Sequence, residues 1–347
     1  MARKPIAGDE KRLNIKPLIS SAQKVLILGH HNADPDAVCS MIAFRNMLLN
    51  INHEAICTLA CDDVSRLSKQ ILGIFAPDVE ILEHVEGEYD LVVVLDSNSR
   101  LQLGSQFGEY LDNPSRVVVI DHHAENPDIG EISSHVLVDS TTSSTCELLI
   151  HLFDELKIKP DEPTANLLLC GILFDTRRFF YAKRSTLTAA IHLIDSGADY
   201  QACISSLVIR PSRSERIARL KAAGRLVVHN IDKWVIVTAK IGAFEASSCR
   251  GLIELGADVA IVGGKPSSDI VRISSRSTKE FYESTGIKLG ADVMSKLGEI
   301  IGGTGGGHPN AAGANGRKNR KEALLKSVEL IKTAIMNQQH EETMKSN

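Results

Sequence analysis

Strand-length runs of Val, Ile and Leu alternate with apolar stretches of helical length over the first half of the chain. Lys24–Gly29, Tyr89–Leu95 and Arg116–Ile120 are mostly apolar over strand length, the pattern of strands covered on both faces. Asp36–Asn50, Thr145–Leu156 and Thr164–Phe174 read as helices. Together they predict an α/β fold, an open, doubly wound, mostly parallel sheet. The character changes over Ala182–Glu215. Thr186–Ser196 predicts a helix, Ile209-Arg210-Pro211-Ser212 breaks the pattern, and Ser212 or Ser214 caps a helix running to Val228. Beyond it, Trp234–Ala239, Val259–Gly263 and Asp269–Ser275 read as strands. Ser247–Leu255 and Ala291–Ile300 read as helices, the second leading into a glycine-rich loop. Arg320–Asn337 predicts a closing helix with a frayed polar tail. The expected organisation is a first domain over 1–185, a linker over 186–215 and a smaller α/β domain over 216–347, with an interdomain cleft. No internal repeat is evident.

Composition narrows the classes. The chain has 347 residues, 43% hydrophobic and 24% charged, enough for two cored domains and too apolar for a disordered chain. Leu91–Leu95 and Leu167–Phe174 fall far short of the ~20 apolar residues that cross a bilayer. Met1–Asn14 is polar and lacks a signal-peptide core, so a cytoplasmic location is expected. Seven cysteines without a C-x-x-C pair read as reduced thiols; Cys57 and Cys61 have no partner pair to complete a zinc site. A net charge of −4 argues against stable binding of duplex DNA through charge alone. An aromatic content of 4% argues against an extended base-stacking track and favours a short anionic substrate.

Candidate chemistry sits at the carboxyl ends of the expected strands, the edge where open α/β sheets bind ligands. His30-His31-Asn32-Ala33-Asp34-Pro35-Asp36 follows the first strand, Asp96 ends the second, and Asp121-His122-His123 ends the third. Asp175 ends the apolar helix that closes with Phe174. Singly, each has a plainer reading: Asp34, Asp36 or Asp96 as helix caps, His122 and His123 as loop residues, Asp175 as a helix terminus. Jointly, carboxylates and imidazoles crowded at one edge repel and desolvate one another unless cations neutralise them. Asp and His donors without cysteine suit Mn²⁺, with Mg²⁺ or Co²⁺ as alternatives. About six ligands suit two ions ~3.5–4 Å apart that share a carboxylate and activate water for attack on a phosphoester.

His30-x-x-x-Asp34-x-Asp36, Asp96, Asp121-His122-His123 and Asp175 resemble the four motifs of the DHH phosphoesterase superfamily. Gly302-Gly303-Thr304-Gly305-Gly306-Gly307-His308-Pro309-Asn310-Ala311-Ala312-Gly313-Ala314 resembles the signature of the DHHA1 domain. Ser143-Ser144-Thr145-Cys146-Glu147 and Gly171–Phe179 are similar to the subgroup of nanoRNases and pAp phosphatases. The likeness spans about residues 24–316. It implies that His30, Asp34 and Asp96 hold one Mn²⁺, and that Asp36, Asp96, His122 and Asp175 hold the other. It further implies that Asp121 orients His122 from behind, and that His123 meets the scissile phosphate. Arg178, Arg276, Gly305, Gly306, Gly307, His308 and Asn310 become the expected substrate contacts.

The glycine run also has a reading of its own, since successive glycines can expose backbone N–H groups to an anion; a flexible hinge is the plainer alternative. Arg276 could add a bidentate phosphate contact. Arg210, Arg213, Arg216 and Arg219, with Lys221 and Arg225, form a basic stretch that reads as a solvated face or a set of interdomain ion pairs, with guidance of an oligonucleotide as the sharper alternative. His53, His84, His135, His151 and His192 read as structural or surface residues.

The expected activity is Mn²⁺-dependent hydrolysis of short single-stranded oligonucleotides and of phosphorylated nucleotides such as 3′-phosphoadenosine 5′-phosphate. Hydrolysis of cyclic dinucleotides or their linear products is the near alternative. A RecJ-like exonuclease would be expected to carry an additional nucleic-acid-binding domain, and a family II pyrophosphatase a Lys/Arg-rich signature in place of the glycine–His run. A non-enzymatic nucleotide-binding regulator would not need both ligand sets intact.

Overall fold

The computed structural model describes residues 14–267, 269–317 and 319–346, with side chains through 338. The polar Met1–Asn14 stretch lies, except for Asn14, outside the described residues. Contacts divide the chain between Ile209 and Arg210 into two compact units.

Unit one runs α1 (Lys16–Ser21), β1 (Lys24–Leu28), α2 (Pro35–Ile51), β2 (Ile56–Ala60), α3 (Arg66–Phe75), β3 (Leu91–Leu95), β4 (Val117–Asp121), α4 (Ile129–Ile132), β5 (His135–Val138), α5 (Thr145–Leu156), α6 (Glu162–Asp175), α7 (Arg184–Asp195) and α8 (Tyr200–Ser206). Its sheet is wholly parallel in the order β2-β1-β3-β4-β5. Every residue of β3 and β4 is buried. Alternation sends Val25, Ile27, Val93 and Ile120 into one core with α2, α5 and α6, and Leu26, Leu28, Val94 and Val119 into another on the opposite face. This strand order places a topological switch point between β1 and β3, where doubly wound sheets open a binding crevice.

Unit two runs α9 (Arg213–Ala223), β6 (Val227–Ile231), β7 (Trp234–Lys240), α10 (Glu245–Glu254), β8 (Val259–Gly264), β9 (Val271–Ser277), α11 (Lys279–Thr285), a π-helical turn (Leu289–Met294), α12 (Ser295–Ile300), β10 (Thr304–His308), β11 (Ala311–Gly316) and α13 (Arg320–Ser346). Its six strands are ordered β10-β11-β9-β8-β7-β6, and only β7 and β8 are parallel neighbours.

Several expectations change. Residues 186–206 contain most of α7 and α8, whose Leu193 and Cys203 are buried in the core of unit one. Ser212 caps α9, accepting from the Glu215 N–H at 3.2 Å, but the helix stops at Ala223. Gly224 ends it and the β-branched Val227-Val228 pair opens β6, which pairs with β7. The closing helix continues to Ser346. β2, β5 and β11 carry no strong sequence signal, whereas α3 and α11 start at the N-caps Ser65 and Thr278, a signal the sequence reading did not use.

The largest change is the glycine run, which forms the edge strand β10 rather than a loop. Its glycines answer to packing. A Cβ at Gly305 would stand 1.8 Å from the Met294 carbonyl oxygen, and one at Gly303 would stand 1.9 Å from that of Asn315. The strand lies directly on the backbone of the π-turn and α12, with no room for side chains between.

Candidate metal centre

The centre grows from local geometry. Asp34 caps α2, its Oδ1 accepting from the N–H groups of Asp36 and Ala37 at 2.9 and 3.2 Å, with Pro35 at the first helical position. Asp36 therefore enters the first turn of α2 fully buried. Its carboxylate accepts from the N–H groups of Thr145 (2.6 Å) and Cys146 (3.0 Å) at the positive end of α5. Asp96 follows β3 with φ +59, a left-handed turn uncommon outside glycine, and accepts from Thr145 Oγ1 at 2.8 Å. Asp175 ends α6, where the helix dipole disfavours a carboxylate, and lies 3.1 Å from His122 Nε2. Gly171 lets α6 pass this close: a Cβ there would sit 2.3 Å from Cys146 Sγ and 2.7 Å from Asp36 Oδ1.

The side chains converge around Asp96. His30 Nε2 is 3.7 Å from Asp96 Oδ2 and 3.8 Å from Asp34 Oδ1. His122 Nε2 is 3.5 Å from Asp96 Oδ1 and 4.0 Å from Asp36 Oδ2. His30 Nδ1 is 2.8 Å from the His31 carbonyl oxygen, so it donates there and leaves Nε2 facing the cluster. Three sets of potential ligand atoms each lie within 4.8 Å of one another: His30, Asp34 and Asp96; Asp36, His122 and Asp175; Asp96, Asp121, His122 and His123.

Asp121 does something other than expected. Its Oδ1 is 2.8 Å from His123 Nδ1 and also accepts the His123 N–H at 3.2 Å, so it orients His123 rather than His122. The two rings lie 4.3 Å apart, tilted by 49°, and both reach Asp96 Oδ1, His122 through Nε2 at 3.5 Å and His123 through Nδ1 at 3.9 Å.

The electrostatics fit divalent cations. Burial, together with the carboxylates of Asp96 and Asp175, holds Asp36 well above the usual carboxylate range. Burial and the charge of Asp34 push Asp96 up to about 6. Burial alone would lower His30, but its bond to Asp34 and the neighbouring negative charges raise it to about 9. His123 is raised to about 9, first by its bond to Asp121. Such shifts mark excess negative charge in a poorly solvated pocket. Asp121 Oδ2 is also buried without a hydrogen-bond partner. With only oxygen and nitrogen donors, this set suits hard or borderline cations.

Sequence reasoning missed the part played by Thr145. Its signal was the cap itself: Ser144 accepts the Glu147 N–H at 3.0 Å, which starts α5 against Asp36 and Asp96. His31, ranked below His30 as a ligand because the family's histidine stands four residues before the first Asp, has its Nδ1 2.7 Å from Asp62 Oδ2. Beyond Asp175 and Thr176 come three consecutive left-handed residues, Arg177, Arg178 and Phe179, with φ of 48, 58 and 70. They are pinned where the Phe179 N–H donates to Thr176 Oγ1 at 3.0 Å and the Phe179 ring stacks on Tyr200. Arg178 is exposed and donates from Nη2 to the Leu207 carbonyl oxygen at 3.2 Å.

In unit two, Arg276 is paired with Ala311, and Ala311 with His308, so the three occupy one row across β9, β11 and β10. Asn310 lies in the connecting turn, its carbonyl oxygen accepting from the Ser277 N–H at 3.1 Å. Gly305, Gly306 and Gly307 are on β10, outermost in the sheet.

The N-terminal domain of the DHH family matches residues 24–172, and the DHHA1 domain matches residues 247–333. The chain belongs to the DHH/DHHA1 phosphoesterases, metal-dependent hydrolases, and the His/Asp cluster is its divalent-metal-binding centre. An uncharacterized protein of Methanocaldococcus jannaschii is 33% identical over 311 residues, covering 88% of this chain and 92% of that one. A probable bifunctional oligoribonuclease and PAP phosphatase of Streptococcus mutans is 24% identical over 307 residues, covering 86% and 91%. A cyclic-di-AMP phosphodiesterase of Listeria monocytogenes is 28% identical over 230 residues, covering 61% of this chain and 33% of that longer protein.

Proposed function

We propose that the chain is a Mn²⁺-dependent phosphoesterase that hydrolyses very short oligonucleotides and 3′-phosphoadenosine 5′-phosphate. The observation that carries this is the position of Asp96, which stands between His30 and Asp34 on one side and His122 on the other. In this assignment His30, Asp34 and Asp96 hold one cation, and Asp36, Asp96, His122 and Asp175 hold the second. Two divalent cations, when bound, supply Lewis acidity, an activated water and neutralisation of phosphate charge.

The chain's own groups do the rest. Thr145 and the α5 N-terminus hold Asp96 and Asp36 in place. Asp121 fixes the ring of His123 and favours its charged form, so that its Nε2 can donate to a phosphate oxygen of the substrate. Arg178, Arg276, His308 and Asn310, with the backbone of Gly305, Gly306 and Gly307, are assigned to the rest of the substrate. Arg276 and His308 share a row at which a phosphate would find two donors. The choice of substrate is supported by the Streptococcus mutans protein, which is matched over nearly its whole length, and by the scarcity of aromatic residues for stacking a long strand. Seven unpaired cysteines support a reducing, cytoplasmic setting.

The test is a panel of end-labelled substrates with Mn²⁺. Dinucleotides, trinucleotides and 3′-phosphoadenosine 5′-phosphate should turn over at least about 100-fold faster than a strand of about 20 nucleotides. Equal rates on the long strand would point to an exonuclease. A preference for cyclic dinucleotides, or turnover of pyrophosphate alone, would replace the proposed substrate.

A further inference from the structure

The turn that leaves the metal centre carries two aromatic rings into solvent. Phe180 and Tyr181, shortly after Asp175 in the chain, are 78% and 55% exposed. A single exposed apolar residue is ordinary, but these two sit on backbone that is held rather than loose. Arg177, Arg178 and Phe179 all take left-handed φ, a conformation that persists in succession only where the surroundings impose it. Thr176 supplies much of that constraint. Its hydroxyl donates to the Ile172 carbonyl oxygen at 2.6 Å and accepts the Phe179 N–H at 3.0 Å, and its carbonyl oxygen accepts the Tyr181 N–H at 3.0 Å. The Arg178 N–H donates to the Leu173 carbonyl oxygen at 2.7 Å. The turn is thereby tied to the end of α6, whose final residue is Asp175.

The two rings play different parts. Tyr181 is already engaged: Arg177 Cζ lies 5.3 Å from its ring centroid, and Arg177 Nη1 is 3.5 Å from its hydroxyl. Phe180 meets Tyr181 almost at right angles, with centroids 4.9 Å apart and planes at 88°, so it is braced from the side while most of its surface stays open. A flat apolar ring fixed in this way is the kind of surface on which a nucleobase stacks. Its place in the chain says why a base would be there. A substrate whose phosphate is held by the centre must put its sugar and base beside that centre, and the Phe180 turn starts at one of the ligands. We propose that Phe180 is a stacking platform for one nucleobase of the substrate, buttressed by Tyr181 and Arg177; this rests on the nucleotide substrate proposed above. One platform takes one base, which suits a very short substrate and needs no aromatic track.

Adenosine 5′-monophosphate and ribose 5-phosphate share the phosphate and the sugar and differ by the base, so the ratio of their Kd values isolates the platform. Titration calorimetry of the full chain with Mn²⁺ should show adenosine 5′-monophosphate binding about 10-fold or more tighter. Phe180→Ala should weaken adenosine 5′-monophosphate about 10-fold and leave ribose 5-phosphate within about 2-fold, with the circular dichroism spectrum unchanged. Phe180→Leu keeps apolar bulk without a π face and should lose about 5-fold or more, whereas Phe180→Trp should match or exceed the parent. Equal Kd values for the two probes in the parent overturn the proposal. So does a base preference that survives Phe180→Ala, or a Phe180→Leu chain that binds adenosine 5′-monophosphate as tightly as the parent. The proposed substrate is judged separately. A parent that hydrolyses dinucleotides but shows no base preference loses the platform alone. One that keeps a Phe180-dependent preference without hydrolysing them retains the platform and loses the substrate assignment.

Discussion

The two sheets use their edges in opposite ways. The parallel sheet of unit one ends in side chains: Asp96 follows β3, Asp121 ends β4, and His30, Asp34 and Asp36 lead from β1 into α2. The outermost strand of unit two is nearly all backbone, because Gly305 and Gly307 lie where a Cβ would meet neighbouring main chain. Unit one accumulates buried carboxylates that protons, hydrogen bonds and cations must relieve. Unit two removes side chains so that a strand can rest on a helix. A motif rich in one residue type therefore carries different weight in the two places: acids there mean electrostatics, glycines here mean close packing first.

The strongest challenge to the first half of that contrast is Asp96→Ala. It should lower kcat by about 1,000-fold or more, and calorimetry should show at least one Mn²⁺ site lost. Full turnover would remove Asp96 from the centre. In unit two, Gly305→Ala should cost about 3 kcal/mol or more of stability, read as a fall in Tm, because its Cβ would meet the Met294 carbonyl. Gly306→Ala should change stability by only about 1 kcal/mol or less, since nothing stands closer than Ser295 Oγ at 4.0 Å. Were the two variants alike in raising KM and leaving Tm alone, the run would be an anion cradle and nothing else.

Thr145→Val removes the hydroxyl that holds Asp96 and should weaken Mn²⁺ binding about 10-fold, measured by titration calorimetry. The smallest effect is on pH dependence in the metal-free chain. Folded His30 keeps its proton to about 9 rather than 6.5, so its contribution is complete below pH 6.5 and drains away as pH rises through 9. Folded Asp96 keeps its proton to about 6 rather than 3.8, so its ionisation weakens the fold as pH climbs through that lower window. Both slopes have the same sign. The metal-free Tm should fall between about pH 5 and pH 9, and saturating Mn²⁺ should flatten the fall. A metal-free Tm that rises over this range would show that the cluster carries no excess negative charge.

Strands β1, β3 and β4 were legible because strands covered on both faces must be apolar at nearly every position. The acids after them were legible because polar residues directly behind such runs stand out. β2 and β5 were not: both are partly exposed sheet edges, so short apolar stretches there do not mark a strand covered on both faces. The glycine run was seen, but its conformation was misread, because a glycine required by a neighbouring backbone looks the same as one required by a turn. No helix among the described residues is long and apolar enough to cross a membrane, in keeping with the short apolar runs.

Local chemistry in the chain thus determined the parallel core, the caps of α2 and α9, and which residues could bind cations, since these follow from hydrophobic period and residue type alone. Tertiary structure decided that Asp121 serves His123, that Thr145 reaches Asp96 across 49 positions, and that the glycines form a strand. Those outcomes depend on distances between segments remote in sequence, and such distances exist only once the sheets and helices have packed.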